Sequence, residues 1–237
     1  MGKDKRVLTI DIGGSSTKML VSGHRKLVKI PTGKKFSPQR LMDGIEQLPG
    51  DWEYDCVSVG FPGRVSRQGR ILVEPLNLGK GWVDFDFDKE FRRPTKVVND
   101  AVLQAVGSYG GGRMLYLGLG TGVGSAFIVH YHVIDFELGA LLYTSQMLAG
   151  DVITKEKLRT IGKPEWNRRV KKLARAMRDA FLVDYVVLGG GNAEHLKNLP
   201  KRVVRGDNKL AFKGGQRLWA PTKEGEEFVL HTSHVVS

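Results

Sequence analysis

Val7-Leu8-Thr9-Ile10-Asp11-Ile12-Gly13-Gly14-Ser15-Ser16-Thr17-Lys18 is the stretch that decides the fold. Val7–Ile12 is β-branched and aliphatic, and Gly13-Gly14 stops it, so it predicts a strand ending in a turn. Thr17–Val21 then resumes as a second strand. Strand, glycine turn, strand is neither a Walker loop nor a dinucleotide fingerprint, because in both of those a helix follows the turn. The same device returns half a chain later: Met114–Leu119, then Gly120-Thr121-Gly122, then Val123–Val129. Asp11 and Gly118 occupy matching places in the two hairpins. Such a recurrence suggests an internal duplication, each copy with its own sheet.

A strand that ends in glycines lets backbone N–H groups approach an oxyanion without interference from Cβ. In the first hairpin, Asp11 stands where a carboxylate can hold Mg²⁺. Lys18 can neutralise phosphate charge, and the hydroxyls of Ser15, Ser16 and Thr17 add donors. One glycine hairpin is often only a turn. Two of them, each after an apolar strand, make a stronger case for paired anion cradles. Between them, Asn99-Asp100 follows an apolar strand, Lys96–Val98, and precedes a helix at Ala101–Val106. An Asp at that junction can accept a proton from an alcohol during phosphate transfer. It can equally be the helix N-cap, and the local sequence favours the cap.

Elsewhere the pattern predicts a helix from Ser37-Pro38 to about Gln47, a short strand at Val57–Gly60, and a buried strand at Asp184–Leu188. Gly189-Gly190-Gly191-Asn192 is expected to turn into another helix. Pro164–Leu182 is the clearest helix, with Val170, Leu173, Met177 and Phe181 at helical spacing. Its bases, Arg168, Arg169, Lys171, Lys172, Arg175 and Arg178, read first as a solvated face and second as an anion site. No pattern emerges after Pro221, and a loosely held tail is expected there.

Lys and Arg number 37 against 25 Asp and Glu, a net charge of +12. That surplus favours polyanionic partners or simply reflects a basic proteome, and it says little about chemistry. Nothing resembles a basic region interleaved with aromatics, so no nucleic-acid partner is expected. Cys56 is the only cysteine, so no Cys-based zinc site can be built and no zinc is expected. No apolar stretch approaches the ~20 residues that cross a bilayer. Val7–Ile12 is too short for a signal core and contains Asp11, so a cytoplasmic protein with no membrane partner is expected.

Taken in order, further segments carry a family resemblance. Asp11–Lys18 resembles the first phosphate motif of the ROK sugar kinases, within the actin/hexokinase/Hsp70 superfamily. Gly60-Phe61-Pro62-Gly63-Arg64-Val65 is similar to the family's Gly-x-Pro-Gly-x-Val, and Asn77-Leu78 with Gly81-Trp82 to its Asn-Leu…Trp segment. Val98-Asn99-Asp100-Ala101 looks like the Asn-Asp-Ala motif, Leu119–Gly124 like the second phosphate motif, and Glu137-Leu138-Gly139 like the start of Glu-Leu-Gly-His. Leu188-Gly189-Gly190-Gly191 resembles the glycine segment near the nucleotide base. The matches run in family order over roughly residues 7 to 219. The form of the first motif, and Lys163-x-x-Trp166-x-x-x-Val170, are closest to polyphosphate glucokinases. Two departures stand out: Ala140 replaces the family's His, and the zinc-binding Cys cluster of many members is absent, as it is in polyphosphate glucokinases.

The resemblance implies an α/β fold of two actin-like ATPase (ribonuclease H-like) lobes facing a central cleft. Residues 1–98 would form the first lobe, 99–220 the second, and 221–237 the tail. It implies a hexose kinase that uses polyphosphate and/or ATP with Mg²⁺ at Asp11, and Asp100 as catalytic base. Asn99, Asp100 and Glu137 would bind the sugar. Gly13, Gly14, Ser15, Lys18, Gly120, Thr121, Gly122, Gly189, Gly190 and Gly191 would bind the donor. Relatives are often dimers, so a homodimer is expected by analogy. No helix-turn-helix precedes Val7, which argues against the repressor branch. The alternative is a non-catalytic sugar-binding or regulatory protein with the ROK fold and a sugar site altered at Ala140.

Overall fold

Val7–Ile12 forms a strand, β1, in which every residue is buried, as an apolar run covered on both faces requires. The computed structural model describes residues 5–221 and 225–231. β1 lies at the centre of a five-stranded sheet with β2 (Ser16–Val21), β3 (Val28–Pro31), β4 (Cys56–Phe61) and β5 (Thr95–Asn99). The order is β3-β2-β1-β4-β5; the first three strands run antiparallel, and β4 and β5 run parallel to β1.

The second sheet holds β6 (Arg113–Leu119), β7 (Val123–Val129), β8 (His132–Phe136), β11 (Tyr185–Gly189), β12 (Val203–Arg205) and β13 (Val229–His231). A separate small hairpin pairs β9 (Leu142–Thr144) with β10 (Met147–Leu148). The sheet order is β12-β11-β6-β7-β8-β13. β6, β7 and β8 are antiparallel, and β11 and β12 are parallel to β6. The pattern β8-β7-β6-β11-β12 therefore repeats β3-β2-β1-β4-β5 strand for strand. The duplication expected from two hairpins extends to whole sheets.

Helices fill the space around them: α1 (Pro38–Glu46), α2 (Phe87–Phe91), α3 (Asp100–Ser108), α4 (Ala149–Val152), α5 (Lys155–Ala180) and α6 (Leu210–Arg217). α3 and α6 pack on each other; α3 touches strands of both sheets, and α6 touches β1 and β4 of the first. Their approach requires glycine: a Cβ on Gly107 would fall 1.8 Å from Leu210 O, and one on Gly214 would fall 1.9 Å from Leu103 O. α6 is tied to the first sheet where Ser58 Oγ donates to Gly215 O and receives Trp219 Nε1–H.

Four local expectations change. The helix expected at Pro164–Leu182 starts earlier, at Lys155, and ends at Ala180. Gly162 (φ 76°, ψ 164°) breaks it into two segments, and Pro164 falls in the first turn of the second, where its missing N–H costs nothing. Val170, Leu173 and Met177 are buried, as their spacing predicts. Of the bases, Arg168 and Arg169 both bond Glu165, so the face is partly self-neutralised. After Gly190 there is a 3₁₀ turn, Gly191–His195, in place of a helix. The expected tail contains β13, which runs parallel to β8, and Phe228 beside it is buried. The rest of that tail, 222–224 and 232–237, lies outside the described residues. Among the described residues no helix is long and apolar enough to cross a membrane.

Residues 62–86 form no regular element except an isolated Val65–Ile71 bridge. They are ordered instead by Glu74, whose carboxylate accepts from the amides of Gly81 and Trp82. Trp82 is fully buried against Phe36, Phe61 and Phe87. The Asn77-Leu78…Gly81-Trp82 segment is thus fastened to the first sheet, with Asn77 at the cleft.

Candidate active site

Register places the charged pair of the first hairpin. β2 alternates its side chains, so Ser16 and Lys18 share a face while Thr17 and Met19 are buried. Lys18 sits directly across from Asp11 in the β1–β2 pairing, which puts both on one face. Lys18 Nζ stands 3.9 Å from Asp11 Oδ2, a loose ion pair. Asp11 is only 6% exposed, and burial pushes its carboxyl pKa up despite the attraction of Lys18. Its charge is therefore under-compensated, which suits a cation. Among the described residues no three acidic, His or Cys side chains gather as a metal cage. A lone carboxylate completed by substrate phosphates is how Mg²⁺ is commonly held, so Asp11 fits that ion.

The two turns face each other across a cleft of about 830 Å³, a small-molecule size. Gly13, Gly14, Ser15, Lys18 and Asp11 line one wall; Gly120, Thr121 and Gly122 line the other. The second turn is braced from behind, since Gly120 O accepts from Lys155 N at 3.0 Å and from Asn192 Nδ2 at 3.3 Å. A Cβ at Gly122 or Gly191 would meet nothing within 4 Å. No packing demand explains glycine at these two positions, and their backbone lies open for a ligand. Gly189 is different. It is absent from the cleft wall, and a Cβ there would collide with the Tyr116 ring. Gly190 does line the cleft, but its φ of +79° and its tight contact with Leu119 already require glycine.

Hydrogen bonds show which residue of Asn99-Asp100 caps α3. Asn99 is the N-cap of α3: its Oδ1 accepts from Ala101 N at 2.9 Å, and its Nδ2 donates to Gly63 O at 3.0 Å. Asp100 is the first helical residue; its carboxyl lines the cleft while also accepting from the backbone N–H groups of Asp100 and Ala101. Its pKa is pushed up to about 7, first by burial and then by the Asp11 carboxylate, against opposing backbone N–H groups. A group balanced there can take a proton near neutrality. Asn99, by contrast, has only one Nδ2 N–H left beyond its bond to Gly63 O.

Glu137 lines the cleft just before a 3₁₀ turn, Leu138–Ala140, whose first residue is anchored by Leu138 N donating to Ser125 Oγ. Burial pushes its pKa up, and Arg64, contributed from beyond β4, opposes that across the cleft. Ala140 is exposed at the end of the turn. Sequence reasoning missed Gln104, Tyr116, Asn192 and Lys155, all of which line the cleft. Gln104, Tyr116 and Lys155 lie in no glycine turn or family motif, and Asn192 follows one, at the end of Gly189-Gly190-Gly191.

The ROK family model matches residues 7–139, more than half of the chain. No curated protein matches it. Among solved structures, the inorganic polyphosphate/ATP-glucomannokinase from Arthrobacter sp. strain KM superposes with a TM-score of 0.75 at 21% identity, covering 90% of this chain and 97% of that one. A ROK family glucokinase from Streptomyces griseus, in complex with glucose and AMPPNP, gives 0.70 at 15% identity, covering 90% and 98%. A ROK family transcriptional regulator, homolog of the E. coli MLC protein, gives 0.68 at 15% identity, covering 89% and 76%. Two duplicated sheets, a glycine hairpin at the cleft end of each, and the family match together place this chain in the ROK family, with the two-lobed actin-like fold of its sugar kinases.

Proposed function

We propose that the protein is a hexose kinase that transfers a phosphoryl group from polyphosphate and/or ATP to the 6-hydroxyl of glucose or a related hexose. The observation that carries this reading is Asp100: placed at the first position of α3 after the Asn99 cap, it lines the cleft with both glycine turns and has a pKa raised to about 7. In the reaction the Asp100 carboxylate takes the hydroxyl proton as the sugar oxygen attacks phosphorus. The new O–P bond forms while the bond from that phosphorus to the donor's bridging oxygen breaks, leaving the shortened donor. Positioning and charge stabilisation dominate such a transfer, so little covalent help is needed. The backbone at Gly14 and Gly122, with Ser15, Thr121 and Lys18, would hold the phosphates. Asp11 would hold Mg²⁺, which when bound neutralises phosphate charge. Glu137 and the remaining N–H of Asn99 would orient the sugar.

The Arthrobacter structure is that of a polyphosphate/ATP enzyme, which supports both donor classes here. The net charge of +12 suits a long polyanion, and ATP equally. A second reading, a non-catalytic sugar-binding or regulatory protein, is favoured by Ala140 and by the regulator among the structural neighbours. One experiment separates them: incubate the protein and Mg²⁺ with a hexose panel, giving ATP or polyphosphate separately. Sugar 6-phosphate supports the kinase. Calorimetric sugar binding with no product from either donor selects the second reading.

A further inference from the structure

Tyr116 and Gln104 form a polar pair at the base of the cleft that neither hairpin accounts for. Tyr116 stands on β6 and is 1% exposed. Its ring leans along the strand over Gly118 and sideways over Gly189, two residues paired in register across β6 and β11. A Cβ on Gly118 would sit 3.4 Å from Tyr116 Cε1, and one on Gly189 would sit 2.6 Å from Cζ. The Tyr116 hydroxyl donates to Gln104 Oε1. Gln104 lies one turn along α3 from Asp100, on the same helix face, and lines the cleft beside it.

That bond fixes which way round the Gln104 carboxamide lies. Burial and the nearby Asp100 and Asp11 carboxylates hold the Tyr116 pKa far above its ordinary value, so the phenol stays protonated and needs an acceptor. The Gly190 amide N–H already faces the same hydroxyl oxygen. A carboxamide turned the other way would set a second donor on that oxygen and strand the buried phenol proton. With Oε1 committed to Tyr116, only the N–H bonds of Nε2 are left for the cleft.

We propose that Gln104, locked by Tyr116, is a further donor-binding residue, offering Nε2–H to a phosphate oxygen held between the two glycine turns beside Asp100. The proposal rests on reading the cleft as a phosphoryl-donor site. An uncharged N–H suits this place: a Lys or Arg one turn from Asp100 would pair with the base and lower its pKa.

Calorimetric binding of tripolyphosphate and of AMPPNP, each with Mg²⁺, tests it in wild type, Gln104→Ala, Gln104→Glu and Tyr116→Phe, with thermal melts as the folding control. Gln104→Ala should weaken both probes about tenfold, the scale of one hydrogen bond to a charged group. Gln104→Glu still accepts from Tyr116 but has no N–H to offer, and should weaken them at least as much. Tyr116→Phe frees the carboxamide to turn and should fall between wild type and Gln104→Ala. Glucose affinity should stay unchanged in all three. Folded Gln104→Glu binding tripolyphosphate as wild type does would overturn the proposal. Wild type that binds neither probe would instead refute the donor-site reading beneath it, and the two failures are distinct.

Discussion

The two glycine hairpins share a backbone and divide the chemistry. Each ends an apolar strand at the centre of its sheet, and each has its key pair one residue before the turn: Asp11 opposite Lys18 in the first, Gly118 opposite Gly124 in the second. The first pair supplies charge. The second supplies space, since Gly118 lies under the Tyr116 ring and a Cβ on Gly124 would come 2.8 Å from Ala101 Cβ, next to Asp100. Duplication thus kept the turn and specialised its sides: one hairpin carries the charged pair, and the other lets α3 press close. The following substitutions should fail differently on the two sides if that division holds.

The largest effect is expected between the hairpins. Asp100→Asn should lower phosphotransfer by ~10²–10⁴ while tripolyphosphate binding is kept. A variant with near-normal turnover would remove Asp100 from the role of base. Next comes the charged side. Asp11→Ala should lower the rate by ~10²–10³ and abolish its dependence on Mg²⁺ concentration. An Asp that merely buttressed the turn would change the melting temperature and leave the Mg²⁺ response intact.

The balance between the hairpins is also legible in pH. Burial and Asp11 raise the Asp100 pKa to about 7, so the carboxyl is protonated below that value. The rate with saturating donor should fall about tenfold per pH unit below 7. The stability effect runs the other way. A carboxyl with a raised folded pKa binds its proton more tightly in the native state, so that stabilisation is lost as pH rises from about 4 through 7. Asp100→Asn should therefore melt above wild type at pH 8 and approach it near pH 4. Asp100 keeps one side open to the cleft, where water screens it, so the expected gap is ~1–3 kcal/mol. Equal melting curves at pH 8 would mean that Asp100 ionises without cost.

How much of this was visible in the sequence depends on the distance over which each feature is decided. Both hairpins were legible because strand, glycine and strand are contiguous, and their boundaries came out within a residue. Asn99 and Asp100 were not separable, since either makes a good N-cap and only the path of the chain chooses. The early start of α5 was hidden because Gly162-Lys163-Pro164 looks like a boundary, and it is a break inside one long element. β13 was invisible because three residues carry no period, and it exists only through β8. The resemblance puts Gly189 with the donor, while the Tyr116 ring beside it comes from a strand 73 positions away. Gln104 and Tyr116 carry no local signal at all; their meeting requires α3 to lie across β6.

The smallest expected effect offers the sharpest test of the division, because two glycines two residues apart should give opposite results. Gly122 faces open space, so Gly122→Ala puts a methyl into the cleft at no packing cost. It should leave the melting temperature unchanged and weaken tripolyphosphate binding. Gly124→Ala pushes its methyl into Ala101 at the first turn of α3, where both neighbours are backbone-fixed and neither can swing away. Overpacking of that kind costs ~1–3 kcal/mol, so this variant should melt earlier. Because α3 carries Asp100, its turnover should fall while tripolyphosphate affinity holds. If both variants lost affinity and neither lost stability, the second hairpin would be a phosphate cradle throughout, and α3 would not depend on its missing side chain.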